Sequence, residues 1–286
     1  LFFKLLCEHL GYQLDNIDIL ILGGSTTEER EVDDKKIWTK IFEKNLDPKL
    51  KVLNAGIGGQ TSFGHKSMFN LWFSKLEDLK PTFILFYIGI NDSLFLIENI
   101  NIDELPVNGR IINSSNRDLL INEHISVQIL QYIKNNSVFH TLYLLIKGNI
   151  ISKKYNISYN NKTSQFNAFI KNKPNNLDKL NNKMISRFKK NYINNLKELL
   201  NFSSFYGAEV IFVTQKVSNL HWLYKYLSIV NDITKDFCKQ NKIKCFDLAY
   251  ELNNIDNNSF YDGIHTTPSG SKLIGEFIAL KFNNYL

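Results

Sequence analysis

Ser25 and the pair Asp262 and His265 carry the side chains with the clearest chemistry in this 286-residue sequence. Ser25 lies in a Gly-Gly-Ser-Thr-Thr segment directly after an apolar run, and Asp262 precedes His265 by three positions near the other end of the chain. A serine hydroxyl is a poor nucleophile until a base takes its proton, and an imidazole base needs a partner that fixes its tautomer. Together these side chains would supply a nucleophile, a general base and an orienting acid.

Two further segments contain groups that suit the stabilisation of an oxyanion. Residues 54–61 have the sequence Asn-Ala-Gly-Ile-Gly-Gly-Gln-Thr, which includes Gly58 and Gly59, and Asn91 follows another apolar run. Backbone N–H groups at glycine and the side-chain amide of asparagine donate hydrogen bonds to developing negative charge. Taken singly, each motif has a plainer interpretation: Asn91 as a helix cap, His265 as a loop histidine and the glycines as a turn.

The order of these four motifs resembles that of the SGNH (GDSL-like) hydrolase family. In that family Ser, Gly, Asn and Asp-x-x-His blocks follow one another at strand ends, and the matching positions here span residues 20–270, apart from an insertion. The resemblance implies Ser25 as the nucleophile, with His265 and Asp262 completing a catalytic triad. It implies an enzyme of the serine hydrolase class that needs no cofactor.

The resemblance also implies an oxyanion hole. Its donors would be the backbone N–H groups of Ser25 and Gly59 and the side-chain amide of Asn91. In the family this glycine follows a small residue and precedes an acid or amide and then Thr or Ser, a pattern that fits Gly59 before Gln60 and Thr61, and Gly58 stays open as an alternative. The resemblance therefore implies three hydrogen-bond donors around the nucleophile, and the choice between Gly58 and Gly59 as one of them stays open.

The residue before the nucleophile departs from the pattern that gives the family its name. Gly24 stands where Gly-Asp-Ser has an aspartate. Branches with this variant resemble enzymes that add or remove acyl groups on carbohydrates and cell-envelope polymers. The resemblance thus implies a serine esterase acting on ester-linked, chiefly O-acetyl, groups of such a polymer. Two alternatives stay open: an O-acyltransferase with the same triad, and a non-catalytic carbohydrate-binding descendant of the fold.

Short apolar segments that alternate with helix-like segments predict the fold class. Strands are predicted at residues 17–22, 51–53, 83–88, 209–214 and 243–246. Their continuous apolar character is typical of parallel strands covered on both faces. We therefore predict an α/β fold, a three-layer α/β/α sandwich with a central parallel sheet of the SGNH-hydrolase or flavodoxin-like kind. Thr267 followed by Pro268 is a start signal for the last helix.

A polar segment at about residues 94–182 interrupts this alternation. We predict a single domain over residues 1–286 with a mostly helical, polar insertion there. The insertion is either a surface excursion that covers sheet edges or a lid or acceptor-binding subdomain over the active site. Residues 147–197 carry twelve Lys or Arg and one acid, Asp178, which indicates either a basic contact face or a lysine-rich composition alone.

Composition and missing motifs exclude several function classes. With 44% hydrophobic and 22% charged residues, the chain has the composition of a folded globular protein. It has no dinucleotide fingerprint, P-loop or metal motif, so we expect no cofactor and no metal. No aromatic and basic module accompanies the net charge of +6, so no nucleic acid partner is expected. The expected substrate is a small-molecule or glycan ester.

Membrane, cysteine and histidine patterns add little that is specific. No apolar run reaches about 18 residues, so we expect no membrane span and a soluble protein of the cytoplasm or the cell envelope. The three cysteines have neither zinc nor disulfide spacing. The other histidines are expected to be surface or cap residues: His9, His65, His124, His140 and His221.

Overall fold

A parallel sheet of five strands forms the centre of the protein. The structure, a computed structural model, describes residues 13–71, 73–98, 138–158 and 180–286. The strands lie in the order β2-β1-β3-β4-β5 and all neighbours pair in parallel. Their bounds are β1 Ile19–Gly23, β2 Val52–Asn54, β3 Phe83–Tyr87, β4 Glu209–Val213 and β5 Lys244–Phe246. Each predicted strand is confirmed, with small differences at the ends.

Helices connect the strands and flank the sheet. The described helices are α1 Ser25–Glu28, α2 Trp38–Lys44, α3 Ser62–Leu71, α4 Ile90–Glu98, α5 Val138–Tyr155, α6 Asn182–Phe205, α7 Tyr224–Asn241, α8 Leu248–Glu251 and α9 Pro268–Asn283. The start signal of the last helix is confirmed, because the Thr267 side chain caps α9 by accepting a hydrogen bond from the Gly270 N–H, and Pro268 follows it.

Alternate strand residues enter two apolar layers on opposite faces of the sheet. Leu20 and Ile84 pack with side chains from α3, α6 and α7. Ile19 and Leu85 pack on the other face with side chains from α2 and α9, including the fully buried Phe282. Complete burial of each large apolar side chain contributes about 1.5–3 kcal/mol. The predicted three-layer α/β/α sandwich is therefore confirmed.

The central strands bring the predicted motifs to one edge of the sheet. Gly23 at the end of β1 pairs in register with Tyr87 at the end of β3. Ser25 and Asn91 follow these two strand ends directly, so the parallel pairing places them side by side. Residues after β2 join the same edge, since the Ile57 N–H donates to the Gly23 carbonyl at 3.0 Å.

Part of the predicted insertion packs on the core. The described portion of residues 94–182 comprises the end of α4, residues 138–158 and residues 180–182. Leu94 and Phe95 are buried in an apolar cluster with Ile264, so the first of these residues belong to the packed helix α4. Ile157 packs with Tyr261. The remaining residues, 99–137 and 159–179, lie outside the described part of the chain, and the single domain and the lid stay predictions.

Among the residues that the structure describes, no helix is both long enough and apolar enough to cross a membrane.

Candidate active site

Ser25 lies on a sharp turn that only small residues permit. It is the first residue of the single-turn helix α1, and Gly24 before it has an extended backbone. A Cβ atom on Gly24 would lie 2.7 Å from the Asn91 Nδ2 atom, closer than real contacts allow. Glycine at position 24 thus lets the nucleophile turn and the Asn91 side chain approach each other.

A chain of short hydrogen bonds joins Ser25, His265 and Asp262. The His265 Nδ1 atom lies 2.6 Å from the Asp262 Oδ2 atom, and the Nε2 atom lies 2.7 Å from the Ser25 Oγ atom. Because an ionised carboxylate can only accept, Nδ1 carries the hydrogen and donates to Asp262. Nε2 is then the acceptor for the serine hydroxyl. The structure brings together all three residues that the sequence predicted as a triad.

The loop that carries this pair is fixed by its own backbone. Asp262 Oδ1 accepts the N–H groups of Ile264 at 2.9 Å and of His265 at 2.7 Å. The Tyr261 N–H donates to the His265 carbonyl at 3.0 Å, which closes the turn. Gly263 has φ +89, and a Cβ there would lie 2.7 Å from the His221 ring. Both restrictions make glycine the suitable residue at this position.

Electrostatics favour an ionised Asp262 beside a basic His265. Burial alone raises the pKa of Asp262, but the positive charge of His265 and three hydrogen bonds outweigh it and hold the pKa below its usual value. Burial alone lowers the pKa of His265, but the Asp262 carboxylate and its hydrogen bond raise the pKa above the usual histidine value. Each partner therefore stabilises the charged form of the other.

The predicted oxyanion donors differ in whether their hydrogens are already used within the protein. The Asn91 Nδ2 group donates one hydrogen to the Gln60 carbonyl at 2.8 Å, which leaves its second hydrogen for a ligand. The Gly58 N–H donates to the Glu28 Oε2 atom at 2.9 Å. In the described part of the chain, the N–H groups of Ser25 and Gly59 donate to no protein acceptor. Of the two alternative glycines, the Gly58 N–H is therefore already engaged by the protein, whereas the Gly59 N–H can still donate to a ligand.

A known protein family matches most of this chain. A family model for the GDSL-like Lipase/Acylhydrolase family matches residues 21–273. The chain belongs to the GDSL-like lipase/acylhydrolase family. Its membership confirms the predicted family and enzyme class, a hydrolase of the GDSL type. The matched range includes every predicted site residue, from Ser25 to His265.

Solved structures of this fold are similar over nearly the whole chain. A lipolytic protein of the G-D-S-L family from Veillonella parvula DSM 2008 has a TM-score of 0.54 at 13% identity, covering 94% of this chain and 100% of that chain. The acetylxylan esterase Axe2 from Geobacillus stearothermophilus has a TM-score of 0.51 at 12% identity, covering 93% of each chain. The carbohydrate acetylesterase Est24 from Sinorhizobium meliloti has a TM-score of 0.51 at 10% identity, covering 94% and 100%.

One curated relative matches a shorter segment. The uncharacterized lipoprotein YqeF of Bacillus subtilis (strain 168) is 31% identical over 97 residues, which is 32% of this chain and 37% of that protein. The match thus spans little more than a third of that relative.

Asp92 anchors the Asn91 segment of this GDSL-like site. Its carboxylate is 2% exposed and accepts the Ser62 N–H at 3.0 Å and the Ser62 hydroxyl at 2.5 Å. The Asn195 side chain donates to the same hydroxyl at 3.0 Å. Burial raises the pKa of Asp92 to about 6. These contacts tie the first turn of α4, which carries Asn91, to the start of α3.

His65 and His221 were both expected to be surface or cap residues, and the structure gives them different positions. His65 is fully buried, which lowers its pKa to about 3, so its expected place at the surface or a cap was wrong. His221 does act at a helix start, where its Nδ1 atom accepts the Leu223 N–H at 3.2 Å. Its ring also supports Gly263 of the catalytic loop, a contact that the sequence did not predict. His9 and His124 lie outside the described residues.

Glu29 is a buried carboxylate next to the nucleophile turn. It has φ +45, an uncommon conformation for a side chain of this kind, and is 5% exposed. Its carboxylate accepts the Trp38 N–H at 2.6 Å, the Ser271 hydroxyl at 2.6 Å and the Thr266 hydroxyl. Burial raises the pKa of Glu29 to about 7. This one side chain connects the end of α1 to the residue after His265.

We expect Glu29→Gln to change how stability depends on pH. A pKa raised from 4.5 to about 7 means that the folded protein binds a proton more tightly than the unfolded chain. Wild-type stability from this group is therefore complete below about pH 4.5 and decreases as pH rises toward 7, by on the order of 3 kcal/mol. The neutral amide keeps an acceptor for Trp38 and donates to the two hydroxyl oxygens, and it does not titrate.

The measurement is the melting temperature of both proteins from pH 5 to pH 8. The difference between Glu29→Gln and the wild type should move in favour of the variant as pH rises, because the substitution removes the buried carboxyl group that loses its proton in this range. Glu209→Gln, at an exposed strand start, serves as the control and should give a constant difference. Parallel curves for Glu29→Gln and the wild type would contradict the buried, proton-binding carboxylate.

The described residues contain no group of three or more His, Cys, Asp or Glu side chains arranged to hold a metal ion.

Proposed function

We propose that this GDSL-like protein is an esterase that forms an acyl-enzyme on Ser25 and removes O-acetyl groups from a carbohydrate or cell-envelope polymer. The observation that carries the proposal is the hydrogen-bond chain from Ser25 Oγ through His265 to Asp262, with distances of 2.7 and 2.6 Å. Its bond directions are those that base-assisted attack by serine requires.

In the proposed first step, Ser25 Oγ forms a bond to the ester carbonyl carbon while its proton moves to His265 Nε2. The carbonyl oxygen becomes an oxyanion, which the N–H groups of Ser25 and Gly59 and the amide of Asn91 would stabilise. When the intermediate collapses, the carbon–oxygen bond to the alcohol breaks and His265 returns the proton to the leaving alcohol. An acyl group then remains on Ser25.

In the second step, water takes the place of the alcohol. His265 accepts a proton from water, the resulting hydroxide adds to the acyl carbon, and the Ser25 Oγ–carbon bond breaks as the proton passes to Ser25. The products are a carboxylic acid and the free enzyme. Asp262 stays ionised throughout and stabilises the transient imidazolium, in keeping with its lowered pKa.

Two features support a short acyl group and a carbohydrate ester. The Gly-Gly-Ser-Thr-Thr segment is the variant that resembles enzymes of carbohydrate acylation. Proteins of similar fold include one named an acetylxylan esterase and one named a carbohydrate acetylesterase. An acyltransferase would share the acyl-enzyme and differ in its acceptor, so added sugar alcohols distinguish the two in the test.

We expect kcat/KM for p-nitrophenyl acetate to exceed that for the octanoate by at least about tenfold, because a pocket built for a short acyl group excludes extra methylenes. Acetate should also be released from an acetylated polysaccharide such as acetylxylan. The readouts are p-nitrophenol absorbance and acetate release, with and without added sugar alcohol. Preference for octanoate would refute the acetyl assignment, and no hydrolysis of any ester would refute the esterase.

A further inference from the structure

Gln215 is a fully enclosed amide at the carboxyl edge of the sheet. It follows β4 by two residues and is 1% exposed. Sequence analysis does not single out Gln215, because it lies just past a predicted strand with no accompanying motif. A buried amide has two hydrogens to donate and an oxygen that accepts, and each must find a partner if its burial is not to be costly.

The side chain of Gln215 bonds to two separate segments of the proposed site. Its Oε1 atom accepts the Ile90 N–H at 2.6 Å, and its Nε2 atom donates to the Thr26 Oγ1 atom at 2.9 Å and to the Tyr87 carbonyl at 3.1 Å. Since an N–H can only donate and a carbonyl can only accept, these partners fix which end of the amide is oxygen.

The backbone of Gln215 is held as firmly as its side chain. The Gln215 N–H donates to the Asn231 Oδ1 atom at 3.0 Å, and the Asn231 Nδ2 group donates to the Gln215 carbonyl at 2.8 Å. Asn231 lies on α7 and is 5% exposed. Both ends of the residue are therefore tied to regular elements, so the amide is a rigid connector.

Two of the side-chain partners of Gln215 are neighbours in sequence of proposed site residues. Thr26 is the residue after Ser25, and Ile90 is the residue before Asn91. The geometry points to Gln215 as a positioning residue that fixes the separation between the Ser25 hydroxyl and the Asn91 amide. It touches neither substrate nor reacting atoms, and it acts through the two segments that carry Ser25 and Asn91. The assignment rests on the roles of Ser25 and Asn91 in the proposed function.

An error of about 1 Å in such a separation costs on the order of 100-fold in rate, because the oxyanion donor must meet the charge that develops during attack. Substrate binding in the ground state does not depend on the same alignment to that degree. Loss of the connector should consequently lower kcat much more than it changes KM.

The test compares Gln215→Met and Gln215→Glu with the wild type at a temperature where melting curves show every protein folded. Gln215→Met keeps the volume and removes all three side-chain hydrogen bonds. We expect its kcat for p-nitrophenyl acetate to fall by about 10- to 100-fold while KM changes by less than about threefold. The control is Ser203→Ala, which removes a buried hydrogen bond from the Ser203 hydroxyl to the Leu199 carbonyl within α6.

Gln215→Glu keeps the shape of the side chain and makes its hydrogen bonds depend on whether the new carboxyl group is protonated. The protonated carboxyl can still donate to the Tyr87 carbonyl or to Thr26, whereas the ionised form can donate to neither. The ratio of its kcat to that of the wild type should therefore fall as pH rises. A merely structural role would lower stability without this change in ratio.

The outcomes separate this inference from the proposed function. If the wild type shows no esterase activity that depends on Ser25, the proposed function fails and this inference fails with it. If the wild type is active but both Gln215 variants keep its kcat, only the positioning role is overturned. An equal loss of kcat in Ser203→Ala at the same loss of melting temperature would also overturn it, because the effect would then follow stability alone.

Discussion

Ser25→Ala should lower the rate of ester hydrolysis by at least about 10⁴-fold and leave the melting temperature nearly unchanged. The hydroxyl is the atom that would form the acyl-enzyme, and its hydrogen-bond partner is His265 Nε2 at 2.7 Å. Removal of this oxygen takes away the nucleophile and little of the packing around it. The residual rate would come from the oxyanion donors and substrate binding acting on water.

The measurement is p-nitrophenol release from the acetate ester, together with a melting curve for each protein. Ser67→Ala on α3 is a matched control, since its hydroxyl bonds within the helix to the Phe63 carbonyl. It should hydrolyse the ester at the wild-type rate. If Ser25→Ala keeps a tenth or more of that rate with an unchanged melting curve, Ser25 is not the nucleophile.

Asp262→Asn should reduce kcat/KM by on the order of 10³- to 10⁴-fold and shift its pH dependence. The carboxylate accepts the His265 Nδ1 hydrogen at 2.6 Å and so leaves Nε2 free to accept the serine proton. An amide can present its own hydrogens to Nδ1 and thereby favour the wrong tautomer. The large loss is expected because, in that tautomer, the lone pair of His265 lies on Nδ1 and not on the Nε2 atom that faces Ser25.

The pH dependence follows from the signs of the pKa shifts. His265 acts as a base in its neutral form, so wild-type kcat/KM should rise with pH through a pKa above the usual histidine value near 6.5. Without the Asp262 charge, burial remains and acts to lower that pKa. The residual activity of Asp262→Asn should therefore persist to lower pH than the wild-type activity does.

A pH–rate profile of both proteins, with Ser25→Ala as the blank, tests this couple. Asp256→Asn is the control, because Asp256 caps the preceding turn through the Asn258 N–H at 3.0 Å and does not contact the histidine. Asparagine caps such turns about as well as aspartate, so this control should follow the wild type. A flat wild-type profile from pH 5 to 8, or an Asp262→Asn profile identical to it, would contradict the assignment.

The sequence was sufficient to predict the strands and the site residues, because their signals lie within short segments of the chain. Each strand is a short apolar run, and each predicted site residue lies just after such a run or in the compact Asp-x-x-His turn. Parallel pairing then brings these positions to one edge without further information. The sequence could not choose between Gly58 and Gly59, because that choice depends on which N–H the Glu28 carboxylate occupies.

Sequence patterns failed where partners are distant along the chain. Glu29 lies in a Glu-Glu-Arg-Glu segment that is typical of a solvated turn, yet its partner Thr266 is 237 positions away. Gln215 contacts Thr26 across 189 positions. No local periodicity contains such pairs, so their burial becomes evident only when the sheet and the C-terminal helix are assembled. The predicted start of the insertion, at about residue 94, lies within helix α4 for the same reason. Leu94 packs against residues that are distant along the chain.

The 240 positions between Ser25 and His265 have a consequence for a chain under synthesis. His265 and the helix α9 that follows it are made after Ser25 and the strands of the sheet. A nascent chain that ends before His265 therefore has the proposed nucleophile without the base that activates it. In the proposed mechanism, hydrolytic activity begins only after the segment that carries His265 and α9 has docked against α2, so a nascent chain without it cannot attack esters that it meets.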